Sequence, residues 1–241
     1  QDDGSYRWNA DVELANARRA VADSNAVAYI GTYNSGAAKI SIPVLNRVHL
    51  AMISPGNTYP GLTKPGSGTA GEPWVYYPLG IRNYFRVVPA DDLQGAAAAA
   101  YARQIGAKSV YVLDDTELYG HGVAVIFARS ARDLGLQVLT QAGDGTALDS
   151  ESIDVRATDY SALARKIAGL HPDLVYFGGI SDNHPAQVLR YLREYGNYTG
   201  AFMGADGIAD DTFINQAPVE LGNVYSTLVG LPANRLPGAG A

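Results

Sequence analysis

The stretch SVYVLDDTELYGHGVAV, residues 109–125, joins two kinds of pattern. Its opening, SVYVL (109–113), is apolar without alternation, so neither face of that strand is expected to meet water. The acidic DDTE follows, and then apolar residues recur at helical spacing, which predicts a helix over 119–134. DLVYF (173–177) repeats the continuous apolar pattern. Strands buried on both faces belong to a parallel sheet with helices on each side.

Outward from this unit the same alternation recurs. Helices are predicted at 11–24, 35–46, 92–105, 159–169 and 184–195. Strands are predicted at 26–30, 48–53, 85–88, 136–141, 174–178, 201–204 and 223–229. The fold class is therefore α/β, built from doubly wound parallel sheets. At 241 residues the chain has room for one large domain or two smaller ones. Residues 54–84 break the rhythm with five prolines and six glycines. Two readings stay open for so long a loop: a functional segment, or a surface excursion without chemistry. A lobe boundary is placed just after it, near 88–91.

Ligands of open parallel sheets bind outside the carboxyl ends of the strands, so the residues after each strand carry the search. IGTYNSGAAKIS (30–41) has the glycine spacing of a phosphate loop at Gly31 and Gly36. Such a loop needs Lys directly after its second glycine. Here Lys39 comes two residues late, and two helical steps of about 100° carry its ammonium away from the loop. A nucleotide site is not expected. The helix N-terminus and the Ser35 hydroxyl suit a singly charged anion such as a carboxylate, although Asn34 or Ser35 acting only as a cap explains the same residues. ISPGNTYPG (53–61) ends the next strand with Ser54, Asn57 and Thr58 around Gly56, so two polar loops lie side by side. Further on, Tyr119 follows one strand, Gly178 and Gly179 another, and Asp206 sits in FMGADGIAD (202–210) after a third.

Several functions are disfavoured. A net charge of −6 argues against a general nucleic-acid binder. There is no cysteine, and the four histidines at 49, 121, 171 and 184 form no metal-spaced pair. No G-x-S-x-G elbow is present. Asp114 and Asp115 are read as a solvated loop in preference to a cation site, and His121 and His184 as surface or helix-start residues in preference to general bases. No catalytic residue, metal or cofactor is expected. No segment approaches the roughly 18–20 apolar residues of a membrane span, and no basic-then-apolar leader opens the chain.

Taken together, AVAYIGTYNSGAA, PVLNRVHLAMISPGNTYPGLT, YFRVVPADDLQGAAAAAYA, GAKSVYVLDDTELYGHGVA, ATDYSALARKI, PDLVYFGG and FMGADGI resemble the periplasmic Leu/Ile/Val-type substrate-binding proteins of ABC transporters. The blocks run in that family's order from about residue 11 to 229. The resemblance implies two lobes of the type I periplasmic binding protein fold, joined by a hinge and closing on an amino acid. It divides the chain into 1–89, an incomplete first lobe, 90–226, the second lobe, and 227–241, a crossover back towards the first. It implies that Ser35 and Thr58 hold the α-carboxylate, with Asn34 and Tyr33 beside them. Gly56 and Asp206 would receive the ammonium, and Tyr119 would close over the ligand. Asp91 and Gln94 match the hinge-side segment. Ile180 stands where many relatives have Tyr. Both ends of the family pattern are missing, so the chain is expected to be an internal piece of a longer protein.

The function so implied is non-enzymatic: capture of an amino acid, branched-chain or otherwise apolar, for delivery to a membrane permease. The protein is expected to be a periplasmic or extracellular membrane-associated monomer. The alternative is the ligand-sensing domain of a receptor or transcription regulator with the same fold.

Overall fold

The computed structural model describes residues 7–142, 145–217 and 221–230. The first parallel sheet contains β1 (Ala28–Ile30), β2 (Ala51–Ser54) and β3 (Tyr84–Arg86), in that order. The second contains β4 (Ser109–Asp114), β5 (Gln137–Val138), β6 (Glu151–Ser152), β7 (Leu174–Gly178), β8 (Ala201–Gly204) and β9 (Val224–Ser226). Its order is β5-β4-β7-β8-β9, with β6 pairing onto β4, all parallel. The connecting helices are α1 (Ala10–Ala22), α2 (Ser35–Asn46), α3 (Asp91–Gln104), α4 (Leu118–Asp133), α5 (Ser161–Gly169), α6 (Pro185–Gly196) and α7 (Asp211–Gln216). Part of the expected crossover, residues 231–241, lies outside the described residues.

The central strands β7 and β8 are buried along their whole length. Tyr111, Leu113, Val175 and Phe177 pack on α5 and α6 on one face, while Val110, Val112 and Tyr176 pack on α3 and α4 on the other. This two-sided burial is what the unalternated apolar runs encode. Edge elements differ from expectation. The strand predicted at 136–141 shrinks to Gln137–Val138, because it lies at the sheet's margin with β4 as its one partner. The helix predicted from 184 begins at Pro185, since His184 has φ 69°, a left-handed conformation outside the helix.

The 54–84 segment is neither a bare surface loop nor unstructured. It forms two single 3-10 turns, Pro60–Leu62 and Trp74–Tyr76. Tyr59, Leu62, Tyr76 and Tyr77 enter the core that also holds Ile42, Leu45 and Met52. Inside it, the Tyr59 and Tyr76 hydroxyls and the Thr69 N–H all donate to Glu72. Burial alone would raise the Glu72 carboxyl, but these donors and the Lys39 ammonium, 3.4 Å away, hold it below its ordinary value. Lys39 thus neutralises a buried carboxylate on the far side of its helix, in keeping with its late position after Gly36.

Candidate functional site

A cleft of about 300 Å³, part of it open to solvent, is lined by Tyr33, Asn34, Ser35 and Gly56 from one side and by Tyr119, Ile180, Asp206 and Gly207 from the other. These residues follow β1 and β2 of the first sheet and β4, β7 and β8 of the second. The carboxyl ends of both sheets therefore face one space, which is where parallel sheets place ligands.

On the first side, two strand-end loops are tied together by Asn57. Its side-chain amide donates to the Tyr33 carbonyl (2.8 Å), and its oxygen accepts from the Tyr84 hydroxyl (3.1 Å). The Ser54 hydroxyl donates to the Thr32 carbonyl at 2.7 Å and accepts from the Asn57 N–H at 2.8 Å. These bonds hold Asn34 and Ser35 beside Gly56. Ser35 is 1% exposed, and its Oγ accepts from the Tyr59 N–H at 3.3 Å. Asn34 occupies the N-cap of α2 yet makes no capping bond with its side chain. The capping explanation of Asn34 is thereby set aside.

Gly36 has a packing reason. A Cβ there would lie 2.5 Å from Cζ2 of Trp8. The Trp8 indole N–H reaches across to Glu117 Oε2 at 3.0 Å, and Arg7 Nη2 donates to the Asp182 carbonyl at 2.6 Å. Gly36→Ala should displace this indole and weaken ligand binding by about three- to tenfold, with Tm lowered by only a few degrees. Loss of the Trp8 fluorescence shift on ligand addition would report it; unchanged affinity would refute the contact's role.

On the second side, Asp206 is the hub. Its Oδ1 accepts from the Tyr119 hydroxyl at 2.6 Å and from the Gln94 amide at 2.7 Å. Gln94 also donates to Thr227 at 2.8 Å, and the Gly207 N–H donates to the Tyr119 oxygen at 3.1 Å. Thr58 and Asp91 are absent from the cleft's wall and lie buried beside this hub, 1% and 0% exposed. Burial raises the Asp91 carboxyl well above its ordinary value; the Thr58 hydroxyl opposes this, and the Asp206 charge adds to it. Tyr176, in the middle of β7, is raised by burial and by the charges of Asp91 and Asp206.

Five buried side-chain atoms have no partner of good hydrogen-bond geometry among the described residues, namely Thr58 Oγ1, Asp91 Oδ1 and Oδ2, Gln94 Oε1 and the Tyr176 hydroxyl, although Thr58 lies close enough to Asp91 to lower its carboxyl. All belong to this one cluster. Each such group costs on the order of 1–3 kcal/mol, and oxygen acceptors dominate the set.

The flanking loop is rigid. Asp114 and Asp115, expected in a solvated loop, are both 0% exposed. Asp115 accepts from Asn183, at 2.9 Å, and from the Ile180 N–H, at 3.1 Å, which fixes Ile180 at the cleft. Burial lifts the Asp115 carboxyl to about 6 despite those donors. Burial would also raise Asp114, but His121, Ser150, Ser152 and the Thr116 N–H outweigh it and hold Asp114 below its ordinary 3.8. A depressed carboxylate contributes stability that is present above its unfolded value and lost as pH falls through its folded one. Asp114→Asn should therefore cost about 2 kcal/mol in urea unfolding at pH 7 and much less near pH 3. An equal loss at both pH values would contradict the assignment.

Gly207, Trp8 and Tyr176 were not singled out from the sequence, and Asn57, placed there in the second polar loop, ties the two loops together. Only Tyr176 left a mark in the sequence, as a hydroxyl in an otherwise apolar strand.

The sequence profile of the periplasmic binding protein family matches residues 2–239, and the chain belongs to that family. An amino acid binding protein of Pseudomonas aeruginosa is 28% identical over 207 residues, covering 85% of this chain and 48% of the relative. A Leu/Ile/Val-binding protein of Rhizobium johnstonii is 29% identical over 187 residues, covering 76% and 44%. The chain thus spans about half the length of the curated relatives it matches. Among solved structures, a leucine binding protein of Thermotoga maritima superposes with a TM-score of 0.72 at 24% identity, over 88% of this chain and 54% of that one. The fold is the type I periplasmic binding protein fold.

Proposed function

We propose that this chain captures an α-amino acid between two lobes, residues 1–89 and 90–226, and delivers it to the permease of an ABC transporter outside the cytoplasm. The observation that carries the reading is the cluster of unpartnered buried oxygens around Asp206 and Asp91, opposite the uncapped start of α2. An α-ammonium would take the oxygens of Asp206 and Gly56, with the Asp91 carboxyl buried behind Asp206. The α-carboxylate would take Ser35 and the first N–H groups of α2, with Asn34 and Tyr33 at its edge. Thr58 acts on Asp91 in this arrangement, and contact with the carboxylate is not required of it. Tyr119 orients Asp206 and closes the second side, and Ile180 faces the side chain. The two separate sheets support the lobe division, and a monomer suffices because one chain brings both sides of the cleft together.

The Pseudomonas aeruginosa and Rhizobium johnstonii relatives are an amino acid binding protein and a Leu/Ile/Val-binding protein by name, which supports the ligand class. The energetics allow it. An amino acid of about nine heavy atoms has a ceiling near −13 kcal/mol, whereas micromolar affinity needs about −8 kcal/mol. Lobe closure around the ligand would then signal occupancy to the permease.

Calorimetry of the full-length protein with a panel of amino acids tests the reading; failure of every α-amino acid to bind refutes it. A further expectation comes from Asp91. An ammonium near it lowers the raised carboxyl, so ligand binding at pH 7 should release protons. The apparent binding enthalpy should then differ between phosphate and Tris buffers. Identical enthalpies would show that Asp91 does not sense the ammonium.

A further inference from the structure

A second recess, about 540 Å³ counting space open to solvent, shares Asn34 and Ile180 with the first. Its remaining wall consists of Arg7, Trp8, Glu117, Val155, Arg156 and Asn183. One carboxylate, Glu117, shares this wall, and another, Asp154, lies beside Arg156. Glu117 Oε2 accepts the Trp8 indole N–H at 3.0 Å, and the Asn183 amide donates to Asp115 at 2.9 Å. Arg7 donates to the Asp182 carbonyl at 2.6 Å, and Arg156 stands 3.6 Å from Asp154 with its side chain 92% exposed. Each guanidinium presents five N–H donors, more than these contacts use.

We propose that the ligand's side chain passes between Asn34 and Ile180 into this outer recess and ends in a carboxylate held by Arg7 and Arg156, so that the ligand is an acidic α-amino acid. This rests on the amino-acid reading above and narrows it. An apolar side chain in the same place would gain no bond from either guanidinium. A carboxylate would have two forked donors available for charge-assisted pairs. The charges then divide by position: Asp206 takes the ammonium, α2 takes the α-carboxylate, and the two arginines take the distal acid.

Calorimetry of the full-length protein with L-glutamate, L-glutamine and L-leucine tests this, alongside Arg7→Gln and Arg156→Gln. Glutamate should bind about tenfold or more tighter than leucine. Each arginine substitution should lower glutamate affinity by about three- to tenfold and leave leucine affinity unchanged. Both side chains reach solvent or a backbone carbonyl, so the variants are expected to fold; matched thermal melts confirm it. Leucine binding as tightly as glutamate, or glutamate affinity indifferent to both substitutions, overturns the assignment while leaving amino-acid capture intact. Binding of no amino acid at all overturns both.

Discussion

Asp206→Ala should reduce amino-acid affinity by about a hundredfold or more, measured by calorimetry on the full-length protein. Removing one partner of a buried, hydrogen-bonded charge pair costs about 2–5 kcal/mol, because the other charge is left without compensation. In this cleft the stranded group would be the ligand's ammonium, facing a site whose other carboxyl, Asp91, burial pushes well above its ordinary value. Tyr119→Phe separates orientation from charge. It deletes the 2.6 Å bond to Asp206 and the acceptor for the Gly207 N–H but leaves the carboxylate in place. A loss of about tenfold is expected there, the lower end of the roughly 1.5–3 kcal/mol that a hydrogen bond to a charged group contributes. Should Asp206→Ala bind its amino acid with undiminished affinity, the ammonium lies elsewhere.

Gly178→Ala should destabilise the chain by about 3 kcal/mol, read from the urea midpoint, without any direct contact to ligand. The sequence marks Gly178-Gly179 as a place where another backbone comes close, and the close approach is to α4. A Cβ on Gly178 would lie 2.2 Å from the Gly120 carbonyl oxygen and 2.9 Å from the Ala124 Cβ. Neither neighbour is a flexible side-chain tip, so strand and helix must separate, and overpacking of this kind costs about 1–3 kcal/mol or more. Gly120→Ala should behave alike, since its Cβ would fall 2.1 Å from Asp115 Oδ1 and 2.6 Å from the Gly178 carbonyl oxygen. Because Tyr119 precedes Gly120, both variants should also lower affinity as α4 shifts. A variant as stable as the parent would show that β7 and α4 have slack at this point.

Much of the architecture is written in local pattern. Unalternated runs such as 109–113 and 173–177 announce burial on two faces, and that property is periodic and therefore visible in sequence. Edge elements are less legible. The strand predicted at 136–141 was overextended because an edge strand is ended by its one neighbour's hydrogen bonds, which no local pattern records. The 54–84 segment concealed its tyrosine core for a related reason. Tyr59, Tyr76 and Tyr77 follow no helical or strand period, yet they share one core, where Tyr59 and Tyr76 donate to Glu72 and Tyr77 to the Leu62 carbonyl.

By itself the sequence determined the layered α/β plan, the strand-end positions of Ser35, Gly56, Tyr119 and Asp206, and the lateness of Lys39 that argues against a phosphate loop. Each depends on spacing along one segment of chain. Only the tertiary structure decided that Asp114 and Asp115 are buried, that Thr58 sits behind the cleft beside Asp91, and that Trp8 explains Gly36. Those outcomes depend on groups up to more than a hundred positions apart, such as Trp8 and Glu117 or Gln94 and Asp206. Burial and pairing across such separations fix a side chain's charge and partners, and no periodicity encodes them.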